Sequence, residues 1–163
     1  MPGAAHAQAG YPVKPIRLIV PFAPGGGTDI VARTLAQKLT ESFKQTVVVD
    51  NRAGGGGLVG TETAIRANPD GYTMILVSAS YGSNAALLPL TFDPVKDVIA
   101  VSVVGESCFI LGVNPSVSAR TVKELASLAK SNPGKINYAS SGTGGVTHLA
   151  SELFDLLAGV QTT

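Results

Sequence analysis

The chain has 163 residues, 45% of them hydrophobic and 14% charged, with a formal net charge of +1. That is enough apolar side chain for one ordinary domain or two small lobes, and it excludes a disordered chain. Near-neutral charge without a Lys/Arg run gives no footprint for nucleic acid, and a single cysteine, Cys108, excludes an intramolecular disulfide and a cysteine-based metal site.

Residues 1–10 are alanine- and glycine-rich, without a periodic core. Ala5-His6-Ala7 and Ala7-Gln8-Ala9 fit the small-x-small pattern that precedes signal cleavage, so this stretch reads as the remnant of a secretory signal or as a plain alanine-rich tail. The stretch from Leu18 to Arg33 organises the rest of the chain. Ile16, Leu18, Ile19 and Val20 have the look of a buried parallel strand, and Pro21 and Pro24 should stop its pairing. Gly25, Gly26 and Gly27 let the backbone approach a ligand, Thr28 is the expected N-cap, and Asp29 complements the helix dipole. Val31, Leu35 and Leu39, with Ala32 and Ala36 between them, continue a helix. A helix N-terminus opening at the carboxyl end of a strand holds anions without a cationic side chain.

Thr46 to Asp50 reads as the second strand, followed by Asn51-Arg52-Ala53, four glycines and a helix from about Leu58 to Ala67. Pro69-Asp70-Gly71 is a turn, Thr73 to Ser78 the third strand, Ser78 to Asn84 a polar loop, and Asn84 to Leu88 a short helix. Paired strands are expected at 98–104 and 108–113, with Cys108 buried in its apolar run. Val98 to Val113 comes nearest to a membrane span, but Gly105, Glu106 and two serines break it. Thr121-Val-Lys-Glu124 is a capping box for a helix over Val122 to about Lys130, closed by Asn132-Pro133-Gly134. Ile136 to Ala139 reads as a strand, Ser140 to Gly145 as a glycine loop, and Val146 to Ala158 as a helix with Leu149, Leu153, Leu156 and Leu157 on its apolar side. Strands alternating with helices at this spacing mean α/β with a mainly parallel sheet, whose ligands bind at the carboxyl ends of strands.

Three strand–glycine loop–helix units recur, at 16–39, 46–67 and 136–158. Gly55-Gly56-Gly57-Leu58-Val59-Gly60 matches G-x-G-x-x-G, but the strand does not lead straight into it and no acid ends the next strand, so a dinucleotide site is not expected. There is no G-x-S-x-G elbow, and His148 is the only histidine beyond the tail, either a satisfied structural residue or a group that orients a ligand. The loops therefore offer amides, hydroxyls and helix dipoles, which describes a binder of small anions better than an enzyme. The rival from another class is an enzyme that uses the same loops for a phosphate or acyl anion.

Pro21-Phe22-Ala23-Pro24-Gly25-Gly26-Gly27-Thr28-Asp29, Asn51-Arg52 with its glycines, Pro69-Asp70-Gly71-Tyr72-Thr73, and Asn132-Pro133-Gly134-Lys135 with Ser141-Gly142-Thr143-Gly144 and His148-Leu149 stand in one order along the chain. From Tyr11 onward, the chain resembles the Bug-type periplasmic solute receptors of tripartite tricarboxylate transporters. The resemblance implies a type II periplasmic-binding-protein-like α/β fold. Its first lobe would be nearly complete at 11–104, with a fragment of the second at 105–163. It further implies a small carboxylate ligand (a dicarboxylate or an aromatic acid), delivery to the membrane components of the transporter, a periplasmic location, and neither cofactor nor metal. The implied ligand contacts are Phe22, Ala23, Gly26, Gly27, Thr28 and Asp29 with Ser78 and Ser80 from the first lobe, and Ser141, Gly142, Thr143, Gly144 and Gly145 with His148 behind them from the second. Ala53 stands where the family usually has proline, and Gly145 where it usually has serine, which would remove a hydroxyl from the site. Family members continue past Thr163, so a shortened second lobe is expected to leave an open edge that favours self-association or a swapped dimer.

Overall fold

The computed structural model describes residues 10–163, so the signal-remnant reading of the first residues lies outside the described part. Its centre is a three-stranded parallel sheet of β1 (Ile16–Val20), β2 (Val47–Asn51) and β3 (Thr73–Ile75) in the order β2-β1-β3. In register, Leu18 lies opposite Val49 on one side and Met74 on the other. β1 is central and must be apolar on both faces: Ile16, Ile19 and Val20 are fully buried and Leu18 nearly so. Its pairing stops at the two prolines, apart from one further bond from the Arg52 amide to the Val20 carbonyl.

Helix α1 (Gly27–Phe43) carries the chain from β1 to β2, and α2 (Leu58–Ile65) carries it from β2 across to β3. Two right-handed crossovers in opposite directions place these helices on opposite faces of the sheet. Ile16, Leu18, Val20 and Val47 pack against Ala32 and Ala36 of α1, flanked by Leu39, Phe43 and Met74. The buried stripe of α1 thus runs through its alanines, which let the helix sit close to the sheet, while Val31, expected on that face, is exposed. On the other side Gly60 of α2 meets Pro21 so closely that a Cβ would come within 2.6 Å of its Cα. The third glycine of the G-x-G-x-x-G match therefore serves helix packing.

Several expectations change. The N-cap of α1 is Gly26, and Thr28 falls within the first turn, because the Gly25 amide is drawn to the Asp29 carboxylate and the helix starts two residues early. β3 ends at Ile75, before the expected Ser78. The polar loop expected at 78–84 is mostly helix α3 (Ser80–Leu87), entered through Ser78, whose carbonyl accepts from the Tyr81 amide. Tertiary contacts override the weak helix propensity of its Ser, Gly and Asn residues. The strands expected at 98–104 and 108–113 are extended chain without ladder partners among the described residues, with Ile99 91% and Ile110 89% exposed. A lone hairpin is only marginally stable without a surface to cover. Cys108 is exposed with that segment, not buried.

The capping box holds: Thr121 Oγ1 accepts from the Glu124 amide at the start of α4 (Val122–Ser131). α5 (Val146–Ala158) has the expected limits and ends at Gly159 in the left-handed region. Residues 136–139 form no ladder with the sheet. They meet the chain beyond α5 instead: the Tyr138 amide donates to Thr163 O (2.8 Å) and the Thr163 amide to Ile136 O (2.9 Å), the parallel hydrogen-bond pattern.

Candidate functional site

In a sheet ordered β2-β1-β3, the crossover from β1 to β2 and the one from β2 back to β3 run in opposite directions, so a crevice opens beyond the carboxyl ends of β1 and β3. The turn Pro21–Gly26 and the entry to α3 border that crevice, and both were expected to carry ligand contacts. Asn51, at the end of β2, fixes the first turn. Its Nδ2 donates to Phe22 O (3.1 Å) and to Asp29 Oδ1 (3.0 Å).

Asp29 was expected to face the ligand, but its carboxylate braces the loop. Oδ2 accepts from the Gly25 amide (2.8 Å) and from Arg33 Nε (2.9 Å), and the side chain is buried. The Arg33 hydrogen bond, then that of the Gly25 amide, lower its pKa to about 2. Arg33 is itself spent on Asp29 and on Asn51 Oδ1 (3.1 Å). With that cation paired, the amides of Gly27, Thr28 and Asp29 remain without partners among the described residues, as the first turn of a helix requires. Neither Gly26, at φ −77°, nor Gly27 needs a left-handed backbone, and a Cβ on Gly27 meets nothing within 4 Å. The fold leaves the space beside Gly27 open, which removes a special φ as the reason for glycine there.

The turn Gly54–Gly57 separates this corner from the loop before α5. A Cβ on Gly57 would meet the Phe22 ring at 3.4 Å, and one on Gly56 would meet Thr143 O at 3.0 Å and Gly145 N at 3.3 Å. Gly56 has φ 63° and is buried, so conformation and close approach both demand glycine. The loop 141–145 then closes on α3: Ser83 Oγ donates to Gly144 O (2.8 Å), and Ser80 Oγ accepts from the Val146 amide (3.0 Å). Ser141 and Thr147 share a hydroxyl–hydroxyl bond (2.9 Å), and the Ser141 amide donates to Thr147 Oγ1. At Gly145 a Cβ would fall 2.6 Å from Ser141 Oγ and 2.9 Å from Gly142 O, so a serine there does not fit this loop conformation.

His148 lies in the first turn of α5 and faces Tyr138 and Glu152. Its Nε2 is 3.7 Å from Glu152 Oε1, its ring centroid 6.5 Å from that of Tyr138, and its Nδ1 buried without a partner. The structure therefore brings together Phe22, Ser80 and the loop 141–145 through Gly56, Gly57, Ser83 and Asn84, none of which sequence reasoning places in the site. Glycine density marks the 54–57 turn, but its poor fit to a nucleotide fingerprint argues against a ligand there. Nothing in the sequence marks Ser83 or Asn84 for this role, since Ser83 reads as a loop residue and Asn84 as the start of a short helix. The site is defined by convergent backbone, and two open surface depressions lie elsewhere, along α4 and between α1 and β2. Among the described residues no His/Cys/Asp/Glu group is arranged to hold a metal, and no helix is long and apolar enough to cross a membrane.

The chain is similar in sequence and structure to known proteins. Protein BugT of Bordetella pertussis is 40% identical over 152 residues, covering 91% of this chain and 47% of its own length. Among solved structures, MatC from Rhodopseudomonas palustris with bound malate superposes with a TM-score of 0.87 at 30% identity, over 94% of this chain and 53% of that one. An adipate-bound R. palustris protein gives 0.80 at 29% identity, over 94% and 52%. The chain spans about half the length of the curated relatives it matches. Residues 31–163 match the model of the tripartite tricarboxylate transporter family receptor, and the chain belongs to that family.

Proposed function

We propose that this chain supplies the carboxylate-binding loops of a periplasmic solute receptor, which captures a small dicarboxylate or aromatic acid between two lobes and delivers it to the membrane components of a tripartite transporter. In this reading the first lobe spans 11–104 and the second begins at 105. The observation that carries the reading is the corner at the α1 N-terminus: free amides at Gly27, Thr28 and Asp29, open space beside Gly27, and an arginine already paired. Carboxylate oxygens accept from such amides, each charge-assisted bond contributing roughly 1.5–3 kcal/mol. Ser141, Thr143 and the amides of Thr147 and His148 are the matching groups across the 54–57 turn. Relatives support the ligand class, since the two R. palustris proteins hold malate and adipate. The family is one of receptors, which argues against the enzyme reading of the same loops.

The test is a thermal-shift and calorimetric screen of the intact protein against L-malate, adipate, benzoate and inorganic phosphate, with Gly27→Val as control. Saturable binding of a carboxylate without turnover is expected, weakened about ten- to a hundredfold in Gly27→Val with the fold intact. Binding of phosphate alone, or turnover that depends on His148, would overturn the receptor reading.

A further inference from the structure

Helix α3 stands between two glycine turns from distant parts of the chain. Ser80, Ser83 and Asn84, at helical spacing on one face, tie it to both. Ser80 is 1% exposed, and its Oγ accepts from Val146 N (3.0 Å), supplying from another element the cap that Gly145 cannot give α5. Ser83 Oγ donates to Gly144 O (2.8 Å), the shorter of its two carbonyl contacts. Asn84 is 5% exposed, and its Nδ2 donates to Gly56 O (3.2 Å). Its Oδ1 is buried without a partner, 3.1 Å from where a Cβ on Gly144 would lie and 3.5 Å from one on Gly56. A buried amide with one orphaned oxygen is costly, and an apolar side chain of similar size would fill the same space without that cost. If packing were all this position required, leucine would serve it better. What asparagine adds is the donor to Gly56 O.

We propose that Ser80, Ser83 and Asn84 are positioning residues of the carboxylate site. They form an interlock that fixes the turn 54–57 and the loop 141–145 at one separation, and so hold the first amides of α5 in place for the ligand. None of the three touches the ligand in this assignment, which rests on the receptor reading. The interlock acts by geometry: no group titrates and no charge moves. Loosening it lets the second loop drift, and the bound carboxylate leaves faster.

The experiment uses the intact protein with L-malate and adipate as probes, and the variants Ser83→Ala, Ser83→Thr and Asn84→Leu. Asn84→Leu removes the orphaned Oδ1 but leaves the Gly56 carbonyl unpaired, so the melting temperature of the ligand-free protein should change little, while the bound probe weakens about tenfold through faster dissociation. Ser83→Ala should weaken it in the same sense, and Ser83→Thr, which keeps the hydroxyl, should restore it. Hydrogen exchange in the ligand-free protein should speed up at 54–57 and 141–149 in Ser83→Ala and Asn84→Leu, with α1 unaffected. Unchanged affinity and exchange in both variants would overturn the interlock while leaving the receptor reading intact. Failure of the wild-type protein to bind either probe would overturn the receptor reading for these ligands, and the exchange comparison would then decide the interlock alone. Should Asn84→Leu fail to fold, the half-buried Ser83 pair of variants carries the same decision.

Discussion

Asp29 occupies the first turn of α1, where a negative side chain complements the helix dipole, yet its oxygens are taken by Gly25, Arg33 and Asn51. The sequence shows where this carboxylate stands and places Arg33 one turn along the same helix, but Asn51 reaches it only once β2 lies beside β1. Its pKa is lowered from 3.8 to about 2, first by the Arg33 hydrogen bond and then by the Gly25 amide. A carboxyl with a depressed folded pKa contributes stability that is present above its unfolded value and lost as pH falls through the folded one. Between roughly pH 4 and pH 2, the wild-type protein should therefore lose stability more steeply than Asp29→Asn, whose side chain does not titrate. Urea unfolding across that range checks this, and parallel pH profiles for the two proteins would contradict it. Gly27 is legible for a simpler reason: it closes a Pro- and Gly-rich turn just where a helical pattern begins. Asn84 is not, because at the end of a polar loop and the start of a short helix it reads as a local helix-start residue, and the Gly56 carbonyl it bonds lies 28 residues away.

At the scale of elements, the units framed by strong local signals match their sequence-based limits. α5 lies between Gly145 and Gly159, and α4 behind a Thr–Glu capping box, and both have the expected starts. What local signals could not supply was a partner. The apolar stretch 98–113 alternates well enough for strands, but a strand exists only in a ladder, and none forms there among the described residues. α3 shows the reverse, a weak helix pattern held in place by bonds to Gly56, Gly144 and Val146. The two helix starts carry the proposed binding chemistry, and their amides act over short range, most of them in buried or half-buried residues, with Gly27 exposed. Carboxylate affinity should therefore change only modestly between low and physiological salt, since screening over a Debye length of about 8–10 Å affects exposed charge pairs most. Calorimetry at two ionic strengths measures this, and a steep loss of affinity would assign the anion to exposed lysines or arginines.

For the molecule as a whole, the alternation of strands and helices announces a parallel sheet, and the sheet is parallel with β1 at its centre. The order of its strands decides where a crevice can open, and that order depends on which way each crossover turns, which no window of sequence reports. The meeting of three glycine turns is likewise a property of the assembled chain: Gly57 against Phe22, Gly56 against Thr143, Gly144 against Ser83. Beyond this centre, Ile99, Val101, Ile110, Leu156 and Leu157 are each more than three-quarters exposed, an apolar surface that no described element covers. The central claim is that backbone amides at the two helix starts hold a carboxylate. Amide-resolved NMR of the intact protein, titrated with L-malate and adipate, tests it most directly. Saturable downfield shifts at Gly27, Thr28 and Asp29, together with Thr147 and His148, are the expected result. Saturable binding that leaves those five amides unmoved would contradict the account.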